Sequence, residues 1–265
     1  MSILQAIIIA IIEGLTEFLP VSSTAHMRFA NPILGITTTP FVDMFEVVIQ
    51  LAAILSIVVL FWKKFTDFKH VSFYIKLVIA LIPAVIFGLL LKDYIDKALN
   101  DIVAIACVMI GGGILLLFID KLFKRLTIDR EEEISYGKSL IIGCFQVLSI
   151  VLPGFSRSAA TIIGGMSQKL TRRLAAEFSF FIAVPTMFAA SVKSFWDVYK
   201  KHHEVLVKDN MTLLAIGAVV SFIVALITVR LFIGYVKNHT FKAFGVYRIL
   251  LGAVILVLVY THYIH

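Results

Sequence analysis

Charged residues are scarce in this sequence. Asp, Glu, Lys and Arg make up 15% of its 265 residues, against roughly 25% in soluble domains. Apolar residues make up 60%, where a soluble domain has about 45–50%. The sequence therefore lacks the polar surface of a soluble protein. Because it also lacks low-complexity segments, we expect a single membrane domain over residues 1–265.

Cysteine is nearly absent as well. The two cysteines, Cys107 and Cys144, lie inside apolar runs without the C-x-x-C spacing of metal and redox motifs. We expect both to be small buried hydrophobic residues.

Acidic residues are fewer than basic ones, and the net charge is +7. This excess does not indicate a nucleic-acid partner, because the basic residues fall in short loops between apolar runs, where membrane topology explains them. Membrane lipids with anionic headgroups are the expected partners for these loops.

Six predominantly apolar runs approach the roughly 20 residues that a membrane-spanning helix needs. These runs are Phe41–Trp62, Lys76–Leu91, Ile102–Ile119, Ala175–Val192, Met211–Val229 and Phe244–Tyr260. The sequence thus predicts an all-α polytopic integral membrane protein with six transmembrane helices.

Two further apolar segments, Ile3–Phe29 and Ser139–Met166, are interrupted by the pairs Leu19-Pro20 and Leu152-Pro153. A proline inside a helix removes a hydrogen bond and clashes with the preceding turn. The serines and threonines that follow are good caps for a new helix. In a membrane such a break is tolerated only inside protein or beside a water-filled cavity. We therefore predict two re-entrant helical hairpins.

The two interrupted segments align with each other at an offset of 133 residues, with Glu13 on Gln146 and Ser23 on Ser156. This alignment predicts two repeats, about 1–128 and 129–265, each made of one hairpin and three spans. Because three is odd, the second repeat enters the membrane inverted.

The distribution of charge favours this topology. The loops on one side are 63–76, 121–138, 168–173 and 230–242. They carry 15 Lys and Arg, and the opposite side carries 7; full spans in place of the hairpins would give 13 and 9. By the positive-inside rule the basic side is cytoplasmic, so both termini face outward.

The first interrupted segment contains an acidic motif. Its residues are Glu13-Gly-Leu-Thr-Glu17-Phe-Leu-Pro-Val-Ser22-Ser23-Thr24-Ala-His26. Glu13 and Glu17 are four apart and share one helix face. Two carboxylates inside a bilayer are costly, and a bridging Mg²⁺ or Ca²⁺ would balance them. The alternative is an interfacial segment with solvated carboxylates.

His26 is a candidate base, acid or nucleophile, or else a hydrogen-bonding residue at headgroup level.

The second segment contains a basic motif. Its residues are Pro153-Gly154-Phe155-Ser156-Arg157-Ser158-Ala-Ala-Thr161. Gly154 permits unusual backbone angles, and the new helix start offers free N–H groups to an anion. Arg157 adds a donor fork matched to phosphate oxygens. The alternative is a structural arginine that pairs with Glu13 or Glu17, and the two roles are compatible.

If the two tips meet, acidic metal ligands face an arginine and helix-start amides. This combination fits a magnesium-bound phosphate or diphosphate on a lipid. Glu46 and Gln50 on the next span can support the site or only tie helices together. Glu177, at the corresponding place in the second repeat, is expected to be structural or interfacial.

The two motifs resemble those of the undecaprenyl-diphosphate phosphatase (bacitracin-resistance) family. The first resembles its E-x-x-x-E region, the second its P-G-x-S-R-S-x-x-T motif, and Phe45–Gln50 an early segment of the same family. The likeness covers nearly the whole chain. Ala25 stands where many members have glycine, which is a small change.

The resemblance implies hydrolysis of undecaprenyl diphosphate to undecaprenyl phosphate, which recycles the carrier for peptidoglycan synthesis, and bacitracin resistance. It implies a metal-dependent, outward-facing site in a bacterial plasma membrane; we also expect that the chain can form a homodimer. The residues that inherit roles are Glu13 and Glu17 (metal), Glu17, Ser23, His26 and Arg157 (catalysis), and Ser22, Gly154, Ser156, Ser158 and Thr161 (substrate binding). Whether His26 or Ser23 attacks, or His26 activates water, stays open.

A lipid-phosphate transporter or flippase is the competing hypothesis, because inverted repeats with broken helices are typical of transporters. An ion channel is weaker, since the spans show few polar residues that face one way.

Overall fold

The computed structural model describes residues 1–201, 205 and 207–262, apart from the side chain of Asp96. Within them the chain is all-α, and the only β-type pairing is an isolated bridge between Ile128 and Leu170. The helices are α1 (Ile3–Thr16), α2 (Ser23–Ile33), α3 (Pro40–Leu60), α4 (Trp62–Thr66), α5 (Val71–Leu90), α6 (Lys92–Ala98), α7 (Ile102–Leu122), α8 (Tyr136–Val151), α9 (Arg157–Ser167), α10 (Arg172–Lys201), α11 (Lys208–Asn238) and α12 (Lys242–Tyr260).

Six of the described helices are long and apolar enough to cross a membrane: α3, α5, α7, α10, α11 and α12. They coincide with the six predicted spans, so the polytopic all-α architecture is confirmed. Helices α10 and α11 have 30 and 31 residues and reach about 45 Å at 1.5 Å per residue. They are therefore longer than the roughly 30 Å hydrocarbon layer.

The outer surface of the bundle is apolar. Of the apolar stretch of each helix, only 22% is buried inside the protein in α12 and 33% in α5. Large side chains such as Leu90 and Val257 are exposed. Both cysteines, Cys107 on α7 and Cys144 on α8, also lie on this surface. The expectation that they are buried was wrong, because an apolar run does not reveal which helix face meets protein and which meets lipid.

The two interrupted segments form two pairs of short helices. Helix α1 begins with a capping box at Ser2, and the first pair breaks between Thr16 and Ser23, on either side of Pro20. The second pair breaks between Val151 and Arg157, around Pro153. Each proline thus lies in a non-helical tip of a few residues, where its missing N–H leaves no gap in a helix.

Glycines let the first helix of each pair lie close to a long helix. A Cβ added at Gly14 of α1 would lie 2.8 Å from the carbonyl oxygen of Ser221 on α11. A Cβ added at Gly143 of α8 would collide with the backbone of Ala80 on α5. Small residues at such crossings permit the close backbone approach by which helices associate in lipid.

Buried and partly buried ionic contacts hold the helix ends. The carboxylate of Asp120, at the end of α7, bonds both Arg172 at the start of α10 and the backbone N–H of Phe241 before α12. The ammonium of Lys76 on α5 lies 2.8 Å from Glu131 in the loop after α7. These contacts fix the order of helix ends on the side that the charge pattern predicts to be cytoplasmic.

Arg248, on α12, joins the two tips. Its side chain is fully buried, and its guanidinium donates to the carbonyl oxygen of Pro20 in the first tip (3.1 Å) and to those of Gly154 (3.0 Å) and Phe155 (2.7 Å) in the second. A further bond, of 3.1 Å, reaches Met109 on α7. The broken backbone is thereby supplied with donors away from water.

Replacement of Arg248 by methionine should destabilise the fold strongly. Four carbonyl groups would lose a donor, and each buried unpaired polar group costs about 1–3 kcal/mol. Thermal unfolding in detergent should show a lower Tm for Arg248→Met than for Arg230→Met, a control at an exposed position of α11. Equal Tm values for the two variants would contradict the role of Arg248.

Candidate active site

The two tips meet through an ion pair between residues 140 positions apart. Nη2 of Arg157 lies 3.2 Å from Oε1 of Glu17, and both side chains are largely buried. The second carboxylate oxygen of Glu17 accepts a bond of 2.6 Å from the hydroxyl of Ser23. Nη1 of Arg157 donates to the carbonyl oxygen of Ser179 on α10, 3.1 Å away. Glu17 is thus held between a cation from the other tip and a hydroxyl from its own.

The two new helices begin in the same strained way. Ser22 caps α2 with φ 72°, and Ser156 caps α9 with φ 78°, and each side chain accepts a bond from the third backbone N–H of its helix. Positive φ is rare outside glycine and costs of order 1–3 kcal/mol where it persists. Such strain is kept where the surrounding structure dictates it, often at functional sites.

This geometry corrects one detail of the repeat alignment. The structural counterpart of Ser156 is Ser22 and not Ser23, because each of these two serines caps its helix. The second tip has one more residue between its proline and the cap, Gly154, which adopts φ 94°. A Cβ there would lie 2.7 Å from the carbonyl oxygen of Ile105. Only glycine fits both requirements.

The ion pair borders a small polar cavity of about 120 Å³. The cavity is lined by Glu17, Ser22, Ser23, Thr24, Gln50, Ser156, Arg157 and Met187. Both helix starts contribute to its wall, and the first N–H groups of a helix have no partner within the helix and carry partial positive charge. Together with Arg157 they make the cavity suitable for an anion such as phosphate.

Glu13 lies one turn before Glu17 and is fully buried, and neither of its carboxylate oxygens has a hydrogen-bond partner among the described residues. Glu17, Glu46 and Arg157 are within electrostatic reach of it. Unpaired carboxylate oxygens beside a second carboxylate fit a divalent cation. The described residues hold no group of three His, Cys, Asp or Glu side chains suited to a metal. Mg²⁺, however, commonly uses one or two carboxylates together with substrate phosphate and water.

His26 has both ring nitrogens engaged. Nδ1 lies 2.7 Å from the carbonyl oxygen of Ser22, and Nε2 lies 2.7 Å from the hydroxyl of Tyr247 on α12, whose ring stacks on the imidazole. A carbonyl oxygen only accepts, so Nδ1 carries the proton and Nε2 accepts from Tyr247. His26 does not line the small cavity. The lone pair of its unprotonated nitrogen, Nε2, accepts the hydrogen bond from Tyr247.

Ser158 and Thr161, also predicted to bind substrate, do not line the small cavity and instead anchor the start of α9. The hydroxyl of Ser158 donates to the carbonyl oxygen of Phe18 in the first tip, 2.8 Å away. The hydroxyl of Thr161 lies within 2.6 Å of that of Ser179 on α10. Both side chains are buried. Their measurable role in this geometry is to fix the start of α9, and with it Arg157.

Two polar residues of α3 divide their roles. Glu46 accepts a bond of 2.7 Å from Asn31 and so ties α3 to α2, while Gln50 lines the small cavity. Glu177 pairs with Arg173 one turn earlier on α10 at 2.9 Å, which agrees with its expected structural role.

Sequence reasoning missed two residues. Arg248 was passed over as part of an apolar span, although an isolated charge inside such a span indicates function or a buried partner. Tyr247, which bonds His26, carries no signal in the sequence, because a tyrosine in an apolar helix is ordinary.

Six helices long and apolar enough to cross a membrane define a polytopic membrane protein, and the buried Glu17–Arg157 pair between two helix starts is its candidate site. The family model for the bacitracin resistance protein BacA matches residues 6–254. Curated proteins named undecaprenyl-diphosphatase are similar along almost the whole chain. The protein of Porphyromonas gingivalis is 49% identical over 97% of both chains. That of Flavobacterium johnsoniae is 49% identical over 97% of this chain and 96% of its own, and that of Bdellovibrio bacteriovorus 43% identical over 98% and 97%. The chain belongs to the BacA family.

Replacement of Ser156 by glycine should preserve or raise thermal stability, whereas alanine should lower it. Glycine relieves the positive φ and costs only a few tenths of a kcal/mol as a cap, while alanine loses the cap at about 0.5–2 kcal/mol and keeps the strain. Thermal unfolding in detergent measures the order of the two variants. Ser135, which caps α8 at φ −76°, is the matched control, since Ser135→Gly relieves no strain. Equal stability of Ser156→Gly and Ser156→Ala would contradict this account.

Proposed function

We propose that this chain hydrolyses undecaprenyl diphosphate to undecaprenyl phosphate and inorganic phosphate at the cavity between the two tips. The observation that carries the proposal is the buried contact of Glu17 with Arg157 beside two helix starts. The substrate is taken from the names of the relatives, which are undecaprenyl-diphosphatases. In a bacterial plasma membrane this reaction would recycle the lipid carrier for peptidoglycan synthesis and give bacitracin resistance.

Arg157 is the group we assign to the terminal phosphate. Its guanidinium lines the cavity and is held by Ser179 and Glu17. A fork of donors fixed in this way can bind two phosphoryl oxygens at once. The amides at the starts of α2 and α9 add donors on the same cavity wall. Positioning and charge stabilisation of this kind supply most of the catalysis in phosphoryl transfer.

Glu13 and Glu17 are the groups that would hold a divalent cation, Mg²⁺ or Ca²⁺. Supporting this assignment, Glu13 has two buried oxygens without partners, and a second carboxylate lies within reach. A bound cation would offset charge on the phosphoryl oxygens in the transition state. Glu17 already has Arg157 as a counter-charge, but Glu13 has none, and a buried charge without a partner is costly.

Glu17 is also the group best placed to take a proton. Its carboxylate accepts the hydroxyl proton of Ser23 at 2.6 Å, and it can accept in the same way from a water that stands in the cavity. The oxygen of that water forms a new bond to the terminal phosphorus while the bond from this phosphorus to the bridging oxygen breaks. The proton of the water passes to Glu17, and the bridging oxygen leaves with the lipid phosphate. Geometry favours Glu17 and Ser23 over His26 here, because the free nitrogen of His26 is occupied by Tyr247.

We assign the two helix pairs to re-entrant hairpins of an inverted repeat, entering from opposite sides, with the site open outward. The matching caps Ser22 and Ser156 support this assignment, as does the excess of basic residues on one side. A homodimer is a further prediction. A lipid-phosphate transporter would use the same residues to bind without cleavage, and phosphate release by purified protein distinguishes the two functions.

Replacement of Arg157 by alanine should lower phosphate release from undecaprenyl diphosphate by about 10²–10³-fold, the usual loss for a transition-state donor. Arg157→Lys keeps the charge beside Glu17 but not the fork, so a smaller loss is expected. Arg173→Ala, in which only the ion pair with Glu177 is lost, is the control. Near-normal turnover of a folded Arg157→Ala variant would contradict the assigned site. If the unmodified protein releases no phosphate in the presence of Mg²⁺ or Ca²⁺, the proposed phosphatase activity is wrong.

Replacement of Glu13 by glutamine should raise the Mg²⁺ concentration needed for half-maximal phosphate release by about tenfold or more, because a charged ligand becomes neutral. The matched control is Glu133→Gln, in which an exposed carboxylate paired with Arg130 is removed. If the Mg²⁺ concentration for half-maximal release is unchanged in Glu13→Gln, Glu13 is not a metal ligand.

A further inference from the structure

A second cavity, of about 520 Å³, adjoins the small one. The two share Ser22, Thr24, Ser156, Arg157 and Met187 in their walls. Beyond these residues the larger cavity runs between α5, α8 and α10. Most of its remaining wall is apolar and includes Leu81, Ala84, Val85 and Leu89 of α5 and Ala190 of α10, although Ser149, Thr186 and Lys193 also line it. The larger cavity thus leads from the polar site to a surface suited to a hydrocarbon chain.

Gln146, one turn before the last turn of α8, lines the larger cavity and is 1% exposed. Neither its amide nitrogen nor its amide oxygen has a hydrogen-bond partner among the described residues. An unpaired buried amide costs about 1–3 kcal/mol, and groups of this kind are rare in native proteins. The cost is recovered if a polar ligand in the cavity bonds the amide.

We propose that Gln146 binds the phosphate that stays on the lipid. The inference rests on the proposed function. We place the terminal phosphate in the small cavity at Arg157 and the isoprenyl chain along the apolar wall of α5, because the larger cavity shares Arg157 and Ser156 with the small one. The intervening phosphate therefore lies in the larger cavity, into which Gln146 faces. An amide NH₂ donates to phosphate oxygens without the repulsion that a carboxylate would bring.

The corresponding residue of the first segment supports this reading. Glu13 precedes Gln146 by 133 residues, and each lies seven residues before the proline of its tip. Both are buried, and both have polar atoms without partners. The charged side chain of Glu13 suits a cation, and the neutral side chain of Gln146 suits an anion. The two side chains therefore match the metal and the phosphate of a metal–diphosphate ligand.

This contact should persist after hydrolysis. The bond that breaks joins the terminal phosphorus to the bridging oxygen, so the phosphate at Gln146 leaves with the lipid and not with inorganic phosphate. Gln146 should therefore contribute to binding of substrate and lipid product alike, and should not contribute to binding of inorganic phosphate.

The test is steady-state phosphate release by full-length protein in detergent with Gln146→Met, an apolar side chain of the same length. We expect the KM for undecaprenyl diphosphate to rise about tenfold or more, the loss expected for a hydrogen bond to a charged group. The inhibition constant of added undecaprenyl phosphate should rise by a similar factor. Inhibition by inorganic phosphate should not change, and the Tm should stay the same or rise, because an unpaired buried amide is removed.

Two further variants complete the experiment. Gln146→Glu keeps the shape but adds negative charge, so it should raise KM more than Gln146→Met does. Gln168→Met, on the far end of α9 and outside both cavities, should leave KM unchanged. Unchanged KM in both Gln146 variants, or an equal weakening of inhibition by inorganic phosphate, overturns the inference. If the unmodified protein releases no phosphate, the proposed function fails first, and the two failures are thus distinguishable.

Discussion

The fold depends on how the backbone is satisfied where two helices break inside an apolar bundle. A tip of five or six non-helical residues leaves carbonyl groups that no water can reach, and each costs free energy unless a donor is supplied. Arg248 supplies it, with bonds to Pro20, Gly154 and Phe155 from one side chain. Five donors in a rigid fork can serve both tips at once, which lysine could not do. The tips are therefore fixed relative to each other before any substrate arrives.

Charge balance is the second constraint, and it follows from the first. Once the tips are fixed, Glu17 and Arg157 lie 3.2 Å apart in a largely buried site. Removal of either partner would leave the other charge buried alone, which is more costly than the loss of an ordinary surface pair. The pair therefore serves the fold and the site together. Glu13 has no such partner, so the site retains an unsatisfied negative group next to a positive one. A metal–diphosphate ligand carries charges of both signs and would complete it.

The two adjoining cavities differ in polarity. The small cavity is mostly polar, and the larger one, which shares Arg157, Ser22 and Ser156 with it, adds a largely apolar wall from α5. A lipid diphosphate has the same order of chemistry along its length. The strained serines Ser22 and Ser156 lie where the two cavities adjoin. Strained backbone of this kind is found where the surrounding structure dictates it, often at functional sites.

Hydropathy and the positions of the helix-breaking prolines were sufficient to predict the fold class. The six spans and the breaks at Pro20 and Pro153 could be read from the sequence, because lipid requires continuous apolar helices and proline cannot continue one. The motif residues were recognisable because charges in an apolar context are conspicuous. The inverted repeat, the metal and the roles of individual side chains stay predictions.

Tertiary structure alone decided which of these residues touch. The alignment gave Ser23 as the counterpart of Ser156, but the extra residue Gly154 shifts the cap to Ser22, and only backbone angles reveal the shift. Cys107 and Cys144 lie on the outer surface, and His26 bonds Tyr247, 221 residues away. Arg248 became significant only when its guanidinium was seen between the two tips. Local sequence records hydrophobicity and helix breaks, since these act on neighbouring residues. Contacts between distant segments depend on how the helices pack, which no single segment encodes.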